Sequence, residues 1–573
     1  MGEAHSASIL LGNEVLSSKT NETIIQGGGY PSGFTMSDAF GLINMTDPSK
    51  NKDEYSHTIG TPTHTISWFA RANYSLLGRY LLTATFRADG SSKFGPNNHW
   101  GYFPAAAFAW RLSDEPFMQK TSDWLDNLKL RISYGTSGAD NIDPSLWRET
   151  WTTEQIVIDG QTVTGYVPGD VLSNPDLKWE TTISRNLGVD FGFLNRFHGS
   201  LDFYWNTTKD ILMKVPCDAS SGYKYQFQNA AQTSNKGIEL SLSADLVRSK
   251  DFRLNLGLTY NYNVNNVDKI LANVTADTHT GWGSSMRIPY YDYAIREGYP
   301  VGLVMGLESA GFYSTADFDY VDGKYKLKAG VPDLRTIVNY PSDASKALAA
   351  EGQVAFPGVA KFVDQNGDGV IDDSDVTIIG EVMPKHTGGF TLSGNWKSID
   401  FSAGFTYQLD GKVYNANAMH SMMGNKDNQL GQNRLSYVSD TYKIYDVDSS
   451  GDLFLVTEPS ALDALNKNAK YALAYSEYGL TTSEFIESAS YLRLNTLTIG
   501  YTLPKNWTKK VGISNARIYF TGNNLFLISG YSGLDPDVNT NTDAGGDGFP
   551  TPYYDYNSYP KARTYTFGIN VAF

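Results

Sequence analysis

The chain ends in Thr564-Tyr565-Thr566-Phe567-Gly568-Ile569-Asn570-Val571-Ala572-Phe573, where every second residue carries a large apolar side chain. This period of two is typical of a β-strand whose two faces meet different surroundings. A membrane-spanning strand has this property, because one face contacts lipid and the other an aqueous lumen. The last strand of a water-soluble sheet would alternate in the same way, so the ending alone leaves both folds open.

The composition fits a chain in which apolar residues alternate with polar ones. The 573 residues include 37 Tyr, 28 Phe and 11 Trp, yet the mean hydropathy is negative. No stretch of the sequence approaches the roughly 20 apolar residues of a membrane-spanning helix, so a bilayer crossing would use strands. The net charge of −15 argues against nucleic acid as a partner, since a nucleic-acid-binding protein would carry a basic face. The single cysteine, Cys217, cannot form an internal disulfide.

The same alternation recurs in segments long enough to cross a bilayer as tilted strands. Their apolar rows are Ile66-Trp68-Ala70-Ala72-Tyr74, Tyr80-Leu82-Ala84-Phe86-Ala88, Leu128-Leu130-Ile132-Tyr134, Leu187-Val189-Phe191-Phe193, Leu201-Phe203-Trp205, Ile238-Leu240-Leu242-Ala244-Leu246, Phe252-Leu254-Leu256-Leu258-Tyr260-Tyr262 and Ile399-Phe401-Ala403-Phe405-Tyr407. We predict that these rows face lipid.

Short and long connections alternate between these segments. The short links lie at 75–78, 194–196, 248–251 and 397–398. The long stretches include 12–62, 139–181, 209–233, 265–385, 408–487 and 527–562. Short periplasmic turns and long extracellular loops are the asymmetry of an outer-membrane barrel, whereas a soluble β-sandwich has no reason to keep every second connection short. We therefore predict an all-β fold, a transmembrane antiparallel β-barrel with about 14 strands in this chain.

Several motifs resemble those of SusC/RagA-type TonB-dependent transporters. They follow the order and spacing of that family over nearly the whole chain, and they include Phe86-Arg87-Ala88-Asp89-Gly90-Ser91-Ser92-Lys93-Phe94-Gly95, Gly101-Tyr102-Phe103-Pro104-Ala105, Asn174-Pro175-Asp176-Leu177-Lys178-Trp179-Glu180, Asn235-Lys236-Gly237-Ile238-Glu239 and Gly522-Asn523-Asn524-Leu525-Phe526. The run Thr566-x-Gly568-x-x-Val571-x-Phe573 also resembles the C-terminal signal by which outer-membrane barrels are recognised for insertion.

The resemblance implies import of oligosaccharides or peptides across the outer membrane of a Gram-negative cell. It also implies a barrel of about 22 strands closed by an N-terminal plug, energised by TonB-ExbB-ExbD through that plug and capped by a SusD-like surface lipoprotein. Residues 1–573 would then be the C-terminal part of the barrel, with the plug domain and the signal peptide absent. The N-terminal residues agree with this expectation, because they contain no cationic segment followed by an apolar run.

The sharpest local motif is the acidic stretch from Asp364 to Asp375. An EF-hand-like loop supplies calcium with oxygens from its positions 1, 3, 5, 7, 9 and 12, and Gly at position 6 permits the sharp turn. The matching ligands are Asp364, Asn366, Asp368, the Val370 carbonyl, Asp372 and Asp375. Asp375 stands where an EF-hand usually has Glu, which shortens its reach. We predict a structural Ca²⁺ that staples the loop, although an acidic turn held by side-chain-to-backbone hydrogen bonds would have the same sequence.

Aromatic residues cluster in the long stretches, where flat rings can stack on sugar faces. The clusters are Trp147 and Trp151, then Trp282, Tyr290, Tyr291 and Tyr293, and finally Tyr553, Tyr554, Tyr556 and Tyr559. We expect Trp282, Tyr290, Tyr291, Tyr554 and Tyr556 to bind substrate. Interface girdles and loop cores of any barrel also use such residues, and for a single residue that structural role has the higher prior.

The sequence gives little support to an enzyme. It contains neither a His-Glu-x-x-His zinc motif nor a Gly-x-Ser-x-Gly nucleophile elbow, and phosphate-binding glycine motifs are also absent. We therefore predict a transporter that is not an enzyme and has no organic cofactor. The alternative from another class is a secreted, soluble β-rich glycan-binding protein or glycoside hydrolase.

Overall fold

The computed structural model describes residues 4–26, 28–42, 45, 54–271, 276–278, 280, 291–334, 342–422, 433–474, 480–540 and 550–573. Fourteen long strands form one sheet in which each strand pairs with the next along the chain. They are β1 His5–Ser18, β2 Thr63–Leu76, β3 Tyr80–Ser91, β4 Trp100–Arg111, β5 Leu125–Ala139, β6 Glu180–Phe193, β7 Phe197–Pro216, β8 Tyr225–Arg248, β9 Phe252–Ile270, β10 His386–Trp396, β11 Ile399–Leu409, β12 Tyr491–Thr502, β13 Asn515–Ser529 and β14 Thr564–Ala572.

The pairing is antiparallel from β1 to β3 and from β9 to β14. The predicted all-β antiparallel fold and the strand number are confirmed. A two-residue strand, Val171–Leu172, adds a short parallel pairing to the start of β8.

Connections between the long strands alternate in length as the sequence predicts, except around β4, where the link before it at 92–99 is shorter than the link after it at 112–124. Three residues join β2 to β3, β6 to β7 and β8 to β9, and only Lys397 and Ser398 separate β10 from β11. The intervening connections at 19–62, 140–179, 271–385, 410–490 and 530–563 are far longer. Antiparallel neighbours need only a tight turn at one end, so the chain concentrates its irregular segments at the other end.

The predicted long connection at 209–233 is wrong for most of its length. Strand β7 continues to Pro216, and β8 already begins at Tyr225. The side chains of Met213 and Val215 are buried, and Leu212 packs against a cluster of buried residues. Because protein covers this part of β7, the sequence there loses the alternation by which the other strands are recognised.

Cross-strand rows on the last strands separate apolar from hydroxyl side chains. The register places Phe401, Ile499, Phe520 and Phe567 side by side across β11 to β14. The adjacent row on the opposite face is Ser402, Thr498, Thr521 and Thr566. The hydroxyls of Thr498 and Thr521 lie 3.0 Å apart, while 45% of Ile499 and 79% of Phe567 remain exposed. One face of the sheet is thus a continuous apolar surface that the described protein does not cover.

The chain divides into two compact units. The first comprises residues 1–109, 133–184 and 208–231, and its small core contains Phe94, Phe103, Leu146, Leu177 and Trp179. Trp179 donates its indole N–H to the carbonyl of His99 at 3.1 Å. This unit also contains α1, Met36–Gly41, and two antiparallel strand pairs. These pair Asn21–Gln26 with Glu54–Ile59 and Trp151–Ile158 with Gln161–Pro168.

The second unit comprises residues 110–132, 185–207 and 232–573. Its long connections fold into a large core of their own, which includes Tyr293, Tyr313, Phe356, Tyr414 and Tyr554. The helices around this core are α2 Ser342–Leu348, α3 Ala416–Met422 and α4 Pro459–Leu465, and α5 Lys505–Thr508 lies between β12 and β13. No helix in the described ranges has the length and apolar character needed to span a bilayer.

Small sheets complete the connections of the second unit. A four-stranded sheet contains Asp277–Thr278, Tyr293–Ala294, Leu303–Gly306 and Thr377–Glu381, and a three-stranded sheet contains Ile486–Ser488, Lys412–Asn415 and Tyr554–Asp555. Three ribbons pair Ser309–Phe312 with Ala360–Phe362, Phe318–Val321 with Lys324–Leu327 and Tyr445–Val447 with Leu453–Leu455.

Replacing Ile499 with Lys tests whether the apolar face contacts hydrocarbon. We expect Ile499→Lys to destabilise the protein in lipid vesicles by about 2–4 kcal/mol, because a cation near the bilayer centre loses its hydration. Thr498→Lys on the opposite face is the matched control and should cost much less. Urea unfolding in phospholipid vesicles measures both free energies of unfolding. Equal losses for the two variants would contradict the assignment of the faces.

Candidate functional site

The five aromatic residues that are predicted to bind substrate differ in their surroundings. Trp282 and Tyr290 lie outside the described residues. Tyr291 is half-buried, with the Arg296 guanidinium carbon 5.7 Å from the centre of its ring. Tyr556 is also half-buried, and its ring lies edge-on to the His420 ring at a centroid distance of 5.8 Å. Protein therefore already covers part of the Tyr291 ring and part of the Tyr556 ring.

Tyr554 is a core residue of the connecting segments. Only 4% of it is exposed, and its backbone pairs in parallel with Tyr414. The two rings meet edge to face with centroids 5.5 Å apart. Burial raises the pKa of the Tyr554 phenol, and the nearby Asp292 carboxylate raises it further. Its ring face is occupied by protein, so the structure gives Tyr554 a packing role.

A buried ion pair fixes the segment after β13 to the start of β12. The Arg493 guanidinium donates to both Asp535 carboxylate oxygens, at 2.6 and 2.8 Å, and each residue is at least nine-tenths buried. Burial by itself would raise the pKa of Asp535, but hydrogen bonds from Arg493 and from the Asp537 N–H hold that pKa below its ordinary value. Sequence reasoning missed this pair, because 42 residues separate its members.

A second polar network joins three connecting segments. Tyr531 donates its hydroxyl to Asp555 at 2.6 Å. Glu487 accepts hydrogen bonds at 2.7 Å from the Asn415 amide and from the Ser532 hydroxyl and N–H. The Asp555 carboxylate raises the pKa of Tyr531 beyond what burial alone does. These bonds hold the segments around 415, 487 and 532 in one arrangement.

The acidic stretch at 364–375 is curled by hydrogen bonds to its own backbone. Asp364 accepts from the N–H groups of Gly367 and Gly369 at 2.6 and 2.8 Å. Buried Asp375 accepts from those of Gln365 and Asp372, both at 2.8 Å. The side-chain oxygens of three further predicted ligands each accept a hydrogen bond from the backbone N–H two residues later. Asn366 accepts from Asp368, Asp368 from Val370, and Asp372 from Ser374.

Calcium binding by this stretch stays a prediction. Within the described ranges, no group of three or more His, Cys, Asp or Glu side chains converges as a metal site. The observed bonds are those of an Asx-stapled turn, while the alternate spacing of the oxygens is that of an EF-hand-like loop.

The residues of the proposed insertion signal lie in and just after β14. Thr566 pairs with Thr521, Gly568 with Tyr519 and Val571 with Ala516. A Cβ at Gly568 would stand 2.4 Å from the Tyr519 ring, so a larger residue at this position would have to displace that ring. Phe573 is 91% exposed at the end of the chain. Their role in membrane insertion stays a prediction.

These features define a protein class. A single antiparallel sheet with its strands in chain order, an apolar face that the described protein leaves exposed and its five longest connections at the same end is the wall of an outer-membrane barrel. The family model described as "TonB dependent receptor-like, beta-barrel" matches residues 11–344. The chain belongs to this family, which confirms the predicted family and fold class.

Individual relatives carry the same designation. The chain is 29% identical over 512 residues to TonB-dependent receptor P3 of Formosa agariphila, covering 89% of this chain and 46% of that protein. It is 30% identical over 520 residues to TonB-dependent receptor SusC of Bacteroides thetaiotaomicron, covering 89% and 44%. Among solved structures, that of the RagAB peptide transporter matches with a TM-score of 0.72 at 24% identity, over 100% of this chain and 54% of that one. The chain thus spans about half the length of the relatives it matches.

Truncating Tyr554 tests its packing role. We expect Tyr554→Ala to lower the free energy of unfolding of the core formed by the long connections by about 3–5 kcal/mol. Other large aromatic residues have an effect of this size when they are truncated in a core. Hydrogen exchange at 412–415, which pairs with Tyr554–Asp555, should accelerate accordingly. Tyr559→Ala is the control, because Tyr559 is 92% exposed. Unchanged exchange in Tyr554→Ala would contradict the packing role.

Calorimetric titration with Ca²⁺ tests the acidic stretch. We expect one binding event in the parent protein and at least a tenfold weaker one in Asp368→Ala, because a central carboxylate ligand is lost. Asp373→Ala is the control, since Asp373 is exposed in the same stretch and is not among the predicted ligands. Absence of binding heat in the parent protein would leave the metal-free turn as the explanation.

Proposed function

We propose that this chain is the barrel portion of an outer-membrane transporter that imports oligosaccharides or peptides with energy supplied through TonB. The main support is its membership of the TonB-dependent receptor-like barrel family over residues 11–344. An uncovered apolar face next to a hydroxyl-lined face adds physical support, since such a wall needs lipid on one side and water on the other.

The proposed location is the outer membrane of a Gram-negative cell, with its lipid as the surrounding solvent. The proposed partners are a SusD-like surface lipoprotein, contacting the long connections, and TonB-ExbB-ExbD, acting through a plug domain outside residues 1–573. Two similarities favour this set: the likeness to SusC of Bacteroides thetaiotaomicron and the fold shared with the RagAB peptide transporter.

The soluble alternative, a secreted glycan-binding protein or hydrolase, has less support. Large side chains such as Trp68, Phe86, Ile132 and Trp205 are 45–58% exposed on the long strands. In water, an apolar surface of this extent would drive association. The relatives reported above are named as receptors and not as enzymes, which favours transport over catalysis.

Deletion of the gene in its parent bacterium tests the proposal. We expect the protein in the outer-membrane fraction of the parent strain, and we expect the deletion strain to lose accumulation of either fluorescein-labelled casein peptides or fluorescein-labelled maltoheptaose. A protonophore should reproduce the loss, since TonB-dependent import needs energy. Re-expression of the gene is the control. Recovery of the protein in the soluble fraction, or unchanged accumulation of both probes, would contradict the proposal.

A further inference from the structure

Two basic residues of the second unit continue the apolar rows of its long strands. On β6, Arg185 precedes Leu187 by two residues. On β8, Lys236 precedes Ile238 by two residues. Because a strand turns every second side chain to the same face, both cations stand on the face that carries the apolar rows. A charged side chain on a lipid-facing surface loses hydration, so it marks a site with a function or a partner.

Strand β7 lies between β6 and β8 and carries Trp205 on the same face. Arg185 is eight residues before the end of β6, and Trp205 is eight residues after the start of β7. The short turn between these strands therefore places the two residues side by side. The Arg185 guanidinium also donates to the hydroxyl of Thr207 at 3.3 Å, two residues beyond Trp205. The Trp205 side chain remains 45% exposed.

Lys236 lies next to Trp205 on the other side of β7. The Asp245 N–H donates to the Arg196 carbonyl at 2.8 Å, which aligns β8 with β7. Lys236 is nine residues before Asp245, and Trp205 is nine residues after Arg196. Antiparallel strands in this alignment place Trp205 beside Lys236. Two strand spacings, about 10 Å, then separate Arg185 from Lys236, a gap that their long side chains can close around one anion.

Charged residues on the opposite face of the same strands pair with one another. The Arg131 guanidinium, on β5, donates to Asp190 on β6 and to Asp202 on β7, each at 2.9 Å. The protein thus neutralises these charges with its own side chains.

Lys236 has no such ion pair within the described residues. Its side chain is exposed. The Asp268 carboxylate is close enough to act on Lys236 electrostatically. That carboxylate accepts hydrogen bonds from the Ser234 hydroxyl at 2.7 Å and from the amides of Asn266 and Gln232 at 2.8 and 3.2 Å. Its oxygens are therefore engaged by neutral donors, and the Lys236 ammonium remains accessible to an anion from outside the protein.

Both cations lie at the height of lipid headgroups. Short turns mark the periplasmic end of an outer-membrane barrel. Arg185 is eight residues from the turn after β6, and Lys236 is twelve residues from the turn after β8. At about 3.3 Å per residue and a tilt of about 40°, these separations correspond to heights of roughly 20 and 30 Å. The two heights bracket the outer edge of an apolar band about 25 Å tall, where long basic side chains reach the headgroups.

We propose that Arg185 and Lys236 bind the phosphate of a glycolipid headgroup, the chemistry of lipid A, in the outer leaflet. A guanidinium and an ammonium both donate charge-assisted hydrogen bonds to phosphate oxygens, and basic clusters at a membrane surface bind anionic headgroups. Trp205 supplies the ring that such interfaces favour. The inference rests on the proposed outer-membrane location and goes beyond transport, because the site faces lipid.

Native mass spectrometry tests the headgroup chemistry on protein purified in detergent from the outer membrane of the parent bacterium. The probes are monophosphoryl lipid A and the same lipid after removal of its phosphate. We expect saturable binding of the phosphorylated lipid and at least tenfold weaker binding of the phosphate-free lipid, because the anion is lost. Equal binding of the two lipids would overturn the proposal.

A paired substitution locates the site. We expect Arg185→Gln combined with Lys236→Gln to weaken binding of monophosphoryl lipid A at least tenfold. The matched control combines Arg248→Gln with Lys250→Gln, which removes the same charge from exposed residues at the other end of β8. Retained heat-modifiable migration in electrophoresis shows that a variant has folded. Parent-like affinity in the folded double variant, or an equal loss in the control, would overturn the site.

Failure of this inference can be told from failure of the proposed function. If the protein is recovered in the outer membrane and supports probe accumulation, but the double variant binds the lipid as the parent does, the lipid site is wrong and the transporter proposal survives. If the protein is recovered in the soluble fraction, the proposed location fails, and the lipid site fails with it.

Discussion

Backbone hydrogen bonding is the constraint on which the rest of the structure depends. In hydrocarbon no water can satisfy an N–H or a C=O, so each strand must find its partner in the next strand. The register from β9 through β14 meets this demand along nearly the whole length of the strands, with irregularities only at Gly404–Phe405 and Leu494–Thr496. Sequential antiparallel pairing also explains why turns at one end can shrink to Lys397 and Ser398, while the other end is free to grow long segments.

The two faces of the sheet carry different side chains, because one face meets lipid and the other meets water. The described protein leaves the row through Phe401 and Ile499 partly exposed, whereas in the adjacent row the hydroxyls of Thr498 and Thr521 lie 3.0 Å apart. A water-soluble sheet would bury the apolar row against a second layer. Here no second layer of the described protein packs on the apolar row. The strands therefore need lipid to keep these side chains away from water, which is what the second layer does in a soluble sheet.

In the long connections, by contrast, apolar side chains are buried against other protein side chains. Residues as far apart in sequence as Tyr293, Tyr414 and Tyr554 pack together into a dry core, and the Arg493–Asp535 pair and the Glu487 network join the same segments. This core and these polar contacts hold the connecting segments in one arrangement. It also buries aromatic rings that would otherwise be free to stack on a ligand. An aromatic residue in a long connection is therefore poor evidence for a sugar site.

The sequence by itself determined the strands, their faces and the alternation of short and long connections. These features are local: a period of two and a tight turn can be read wherever lipid and water face the two sides of one strand. The extension of β7 to Pro216, the burial of Tyr554 and the meeting of Thr377–Glu381 with Ile486–Ser488 were decided only by the tertiary structure. Each depends on contacts between residues far apart in the chain, and once protein replaces lipid as the neighbour, side chains no longer follow the simple alternation.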